Sequence, residues 1–299
     1  MSKSPTLSTN TIGLLFAFGS AALFAIRPVF VKLVYAQGTD PLTLIGFRML
    51  FSLPIYALIL YFLLRDPTLR RRLTIKNIGQ ASIVGWFGYY FASYLDLVGL
   101  QYVTAQLGRM VLYVYPTFVV IFGALFFKTK IDARIALSLV ITYLGVLIIF
   151  GHDLRTFGPD VIKGSLIILV CAACFSFYLL FGKPLIEEMG SRLFTSIALI
   201  SASIGILSHY AVVAPITSPN VNNTALFWIF IIAIFCTVIP TFLTTAAVAR
   251  IGSEKTGILA TIGPGFTSIF AVTILNENFT VYHLVGIVVT ILGISFLKK

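Results

Sequence analysis

The sequence predicts an all-α polytopic membrane protein: ten transmembrane helices forming two inverted five-helix repeats, with both termini cytoplasmic. Three observations predict it. Of 299 residues, 59% are hydrophobic and only 10% charged, where a soluble domain carries about 25% charged residues. Apolar runs of about 20 residues, the length that crosses a bilayer, follow one another with short polar breaks. The two halves also resemble each other in order, which is how an internal repeat shows itself.

The runs place helix 1 at 11–35, helix 2 at 41–64, helix 3 at 77–99, helix 4 at 103–127 and helix 5 at 132–151. Helix 6 is expected at 161–183, helix 7 at 192–213, helix 8 at 225–249, helix 9 at 253–275 and helix 10 at 280–297. The polar tail MSKSPTLSTN precedes an apolar run too long for a signal-peptide core and without a cleavage motif. The first span is therefore expected to stay in the mature protein.

The net charge of +11 suggests nucleic acid at first, but the basic residues cluster between the spans. With the N-terminus inside, the inner segments hold Lys3, Arg65, Arg70, Arg71, Arg72, Lys76, Lys128, Lys130, Arg134, Lys183, Arg192, Arg250, Lys255, Lys298 and Lys299. The outer side holds Arg155, Lys163 and Lys32. This is the positive-inside pattern, and it sets both termini in the cytoplasm. The loops leave no room for a soluble catalytic domain. Cys171 and Cys174 have metal spacing but no accompanying His or second Cys pair, so they read as small buried residues, and no metal or cofactor is expected.

The repeat is carried by three matches. LLFAFGSAALFAIRPVFVK, bounded by Gly13 and Lys32, matches SLIILVCAACFSFYLLFGK, bounded by Gly164 and Lys183. YPTFVVIFGALFFKTKID matches GPGFTSIFAVTILNENFT, pairing Pro116 with Pro264. The same register pairs Thr142 with Thr290 and Gly145 with Gly293. The division falls at 1–151 and 152–299. Five spans per copy is an odd number, so the second copy enters the membrane in the opposite sense. Inverted repeats are the architecture of secondary transporters, with the binding site near the midplane.

One stretch stands out within this frame: YLDLVGLQYVTAQLGRMVLYVYP, Tyr94–Pro116, which carries Asp96 and Arg109 on either side of the patch Gln101–Thr104. A hairpin there puts both about two turns from the bend, at similar depth. Charges inside a span face a partner or a water-filled cavity. The pair is either a pin holding the hairpin or part of a substrate or proton site.

FAIRPVFVK, GFRM around Arg48, GLQYVTAQ before YPTFVV, FSFYLLFGK, ARIGSEKTG and GPGFTSIFAVTILNENFT with Glu277 together give a further signal. In these motifs the chain resembles the drug/metabolite transporter superfamily and its ten-helix EamA-type exporters, over essentially its whole length. KTK at 128–130 lacks the acidic residue of the second copy, and Arg27 stands where a small polar residue is more usual. The resemblance implies a central cavity walled by helices 1, 3, 4, 6, 8 and 9.

On that basis the expected substrate-binding residues are Arg27, Tyr90, Tyr94, Asp96, Arg109, Tyr113, Tyr178 and Thr244. Tyr89, Tyr115, Pro240, Thr241 and Thr261 are further wall candidates, and Arg48 is expected to be structural. Tyr178 falls opposite Arg27 in the repeat, Thr244 opposite Asp96 and Gly257 opposite Arg109. His209 and His283 are expected to satisfy packing hydrogen bonds, with a proton relay as the alternative.

The expected function is transport, most simply export of amino acids or related small metabolites across a bacterial inner (cell) membrane by alternating access. The alternative is an anion exchanger for nucleotide-sugar or phosphosugar substrates. The expected partners are a small-molecule substrate and the lipid bilayer, with proton coupling and a homodimer possible and no nucleic acid. An enzyme is not expected, because no His-Glu-x-x-His or Gly-x-Ser-x-Gly motif is present.

Overall fold

The computed structural model describes residues 9–128, 132–217, 221–260 and 262–296. The start of the polar tail, Lys130, Thr261, Lys298 and Lys299 lie outside them. All regular structure among the described residues is helical: α1 (Thr9–Tyr35), α2 (Pro41–Leu63), the short α3 (Pro67–Arg70), α4 (Ile75–Gly85), α5 (Ala92–Leu100), α6 (Ala105–Leu112) and α7 (Tyr115–Phe127). Then come α8 (Ala133–Phe157), α9 (Asp160–Met189), α10 (Ser191–Thr217), α11 (Asn223–Ala233), α12 (Ile239–Ala260), α13 (Gly263–Leu275) and α14 (Val281–Phe296). Seven stretches are long and apolar enough to cross a membrane, and Gly263–Leu275 and Val281–Ile294 are shorter apolar helices. The protein is a polytopic all-α membrane protein.

Helix starts are written in the sequence. Asp40, Thr74, Thr104, Asp132 and Asn222 each sit in extended backbone and accept a first-turn N–H with the side-chain oxygen, which satisfies donors that have no partner within the helix. At Asp66 the hydroxyl and N–H of Thr68, at 2.7 and 2.8 Å, hold the carboxyl below its usual range.

Several boundaries differ from expectation. The sixth segment runs past Lys183–Pro184 to Met189 and stops at Gly190, whose φ of +86° suits glycine alone. The fifth continues to Phe157 because its polar end, His152–Asp153, finds partners inside the protein. The third is interrupted by a π turn, Trp86–Phe91, and the eighth by a second, Ile234–Val238. The fourth is two helices, broken before Pro116.

Where a loop is expected at 250–252, helical backbone continues to Ala260, and the next helix begins at Gly263. The chain reverses across this stretch all the same. Gly13 packs on Ile251 near the start of α1, while Phe18 meets Phe266 and the Ala25 carbonyl accepts from Thr267.

These interruptions recur at one offset. Thr142 and Thr290 are 148 residues apart, and the same separation relates the starts of the π turns, the bounds of α7 and α13, and the left-handed ends Lys128 and Asn276. Helix α8 packs tightly on α14. Ser138 donates to the Gly293 carbonyl, and a Cβ at Gly145 would run into Thr290 and the backbone of Gly286. Elsewhere α1 packs on α12 and α13, α2 on α10, and α9 on α5 and α7.

Candidate functional site

A cavity of about 290 Å³ lies among α1, α2, the first π turn, α5, α6, α9 and the second π turn with α12. Of the expected site residues, Arg27, Asp96, Arg109, Tyr113 and Tyr178 line it. Tyr90, Tyr94 and Thr244 do not. The Tyr90 hydroxyl meets His209 Nδ1 at 3.0 Å, and the Tyr94 ring stands edge-on to the same imidazole, 5.7 Å between centroids, so both turn toward α10. Thr244 donates to the Pro240 carbonyl at 2.8 Å and sets its hydroxyl against that of Ser20.

Asp96 and Arg109 do not pair. Asp96 binds Arg27 on α1, an ion pair whose side chains are 7% and 17% exposed. Equal depth on a hairpin does not fix azimuth, because each residue turns a helix by about 100°. Arg109 instead lies over the Tyr113 ring, 5.4 Å from its centroid. That is a cation–π arrangement.

Tyr113 itself is fixed by the end of a helix. Ala260 is the last residue of α12, so its carbonyl has no partner within that helix, and it accepts from the Tyr113 hydroxyl at 2.6 Å. On the opposite wall the Tyr89 and Tyr178 hydroxyls meet at 3.1 Å.

The residue that motif reading placed in the scaffold is Arg48. It lines the cavity on α2, is only 1% exposed, and its Nε and Nη1 have no hydrogen-bond partner among the described residues. A signal was available in the sequence: the spans carry more arginine than carboxylate to neutralise it.

At the end of the bundle near Tyr35, polar groups hold the hairpin in place. Glu277 accepts from the N–H groups of Ala105 and Gln106 at 2.8 and 3.4 Å, so a carboxylate sits at the positive end of α6. Asp153 accepts from the Thr104 hydroxyl at 2.8 Å and faces His152 and His283 at 3.1 and 3.5 Å. The three are close enough to share a metal ion. However, His283 Nδ1 accepts from the Thr280 N–H, so Nε2 of the neutral ring keeps its proton and donates toward Asp153. The cluster therefore reads as a hydrogen-bonded clamp. Glu277→Ala is expected to cost about 1–2 kcal/mol through loss of this capping, read as a lower unfolding temperature in detergent; an unchanged value would remove Glu277 from the clamp.

The model of the EamA-like transporter family matches residues 11–151 and 162–298. The uncharacterized transporter YcbK of Bacillus subtilis is 25% identical over 281 residues, covering 92% of this chain and 88% of its own length. An uncharacterized transporter of Clostridium kluyveri is 24% identical, with 94% and 91% covered. A solved crystal structure superposes with a TM-score of 0.65 over 96% of each chain at 14% identity, a likeness of fold alone.

Proposed function

The chain belongs to the EamA-like transporter family, and from that membership we propose that it carries small metabolites with an acidic head group by alternating access through the central cavity. The two copies, 1–151 and 152–299, are inverted five-helix repeats that rock about this cavity, with both termini in the cytoplasm of a bacterial cell. The single observation that carries the proposal is a cavity lined by Arg27, Arg48, Asp96 and Arg109, walled by helices of both copies. Intramembrane charge of this kind marks a substrate path. The shared 148-residue register of the breaks supports the repeat, since inverted repeats place their site at the interface.

Amino acids and related metabolites are the first substrate class to test. A substrate carboxylate meets Arg109, and its side chain meets the Tyr89–Tyr178 wall. The anion-exchanger reading for phosphosugar or nucleotide-sugar substrates is favoured by three guanidiniums against one carboxylate.

The experiment is uptake of labelled amino acids and of a sugar phosphate into proteoliposomes, wild type beside Arg109→Gln, with and without a pH gradient. Flux reduced at least tenfold in the variant is the expected result. Equal flux in a folded variant would move the site away from Arg109, and absence of flux for both classes would sink the substrate assignment.

A further inference from the structure

Arg48 is the largest fully buried side chain among the described residues. A guanidinium carries five N–H donors, no acceptor, and a charge it does not give up. Burying such a group without an acceptor is strongly unfavourable, and at Arg48 both Nε and Nη1 lack one among the described residues. Among the described residues the cavity wall holds a single carboxylate, Asp96, and Arg27 already occupies it. Arg109 faces the same cavity with its own Nε unpartnered. Among the described residues the lining thus carries three guanidiniums and one carboxylate, an excess of two positive charges at one cavity.

The excess has a chemical meaning. An anion entering the cavity finds guanidinium donors set in a largely apolar wall, and hydrogen bonds from charged donors are roughly twice as strong as neutral ones. An ammonium finds no free acceptor of opposite charge and two uncompensated cations instead. The remaining wall is apolar and aromatic, with Phe24, Leu112 and Phe175 beside the Tyr89–Tyr178 pair. The volume of about 290 Å³ lies at the lower limit of small-molecule sites, roughly 300–1,000 Å³.

We propose that the cavity selects a small organic anion lacking an ammonium group, its carboxylate or phosphate head held by Arg48 and Arg109 and its apolar body by the aromatic wall. This rests on the transport reading and narrows it, since zwitterionic amino acids become poor ligands.

Four probes with a phenyl body and different heads test it by calorimetry on the protein in nanodiscs: 3-phenylpropionate, phenyl phosphate, phenylalanine and phenethylamine. At least one of the two anions is expected to bind ten times more tightly than phenylalanine or better, and phenethylamine not at all. Which anion binds more tightly distinguishes a carboxylate site from a phosphate site.

Arg48→Gln is expected to lose anion binding at least tenfold while the empty protein unfolds at an equal or higher temperature, because an unpaired buried charge has been removed. Arg48→Met serves if the Gln variant is poorly produced. Phenylalanine binding as tightly as the anions would overturn the proposal. So would anion binding undiminished in the variant, a lower unfolding temperature of the empty variant, or no binding of any probe to the wild type. Binding is read without flux, so anion binding with no vesicle transport would defeat the transport reading alone.

Discussion

Asp96→Asn is expected to destabilise the protein by about 3–5 kcal/mol, the usual cost of removing one partner from a buried ion pair. The substitution keeps the volume of the side chain and removes its charge. Arg27 is then left beside Arg48 and Arg109 in one cavity with no carboxylate among them. The loss therefore exceeds that of the pair alone, and transport should fall with it. The check is thermal unfolding of wild type, Asp96→Asn and the double variant Arg27→Gln/Asp96→Asn in the same detergent. The double variant should recover most of the loss, because it removes both charges together. If Asp96→Asn unfolds with the wild type, the pair contributes nothing to stability and Asp96 is free for another role.

The second large effect lies far from the cavity. Gly145→Val is expected to cost about 3 kcal/mol, at the upper end of overpacking penalties. A Cβ there meets the Thr290 hydroxyl, the Gly286 carbonyl and the Thr290 backbone nitrogen. Two of these three are main chain, so no rotamer change relieves the clash and α8 must move away from α14. Gly151 on the same helix is the internal control, because nothing lies within 4 Å of a Cβ placed there. Gly151→Ala should be neutral or slightly stabilising, since alanine is the better helix former by roughly 0.5–1 kcal/mol. Equal effects at the two positions would refute close packing of α8 on α14.

Sequence reading found most of the helical segments because hydrophobic length is dictated by the bilayer. It did not find the π turns. An added residue within a helical turn leaves no mark in an apolar run, where WFGYYF reads like any other stretch of the same span. Azimuth was lost for the same reason. Asp96 and Arg109 line one cavity, yet the partner of Asp96 comes from α1, and Tyr90 and Tyr94 turn toward His209. Arg48 was passed over because its motif suggested scaffold, although counting spanning arginines against carboxylates would have raised it. The Asp153 cluster was missed because HDLR looked like a loop, when its carboxylate is completely buried.

The paired π turns carry a consequence for how this chain tolerates changes in length. A π turn is equivalent to an α-helix with one residue added, and each residue advances the helix by about 100°. The turn at Trp86–Phe91 therefore sets the phase of everything between it and Leu100, and the turn at Ile234–Val238 does so for Thr241 and its neighbours. Deleting one residue from Trp86–Phe91 would give a more regular helix and aim Asp96 roughly a quarter-circle away from Arg27. In the first of these spans a backbone irregularity keeps Asp96 in register with Arg27, and in the second it sets the hydroxyls that face them across the cavity.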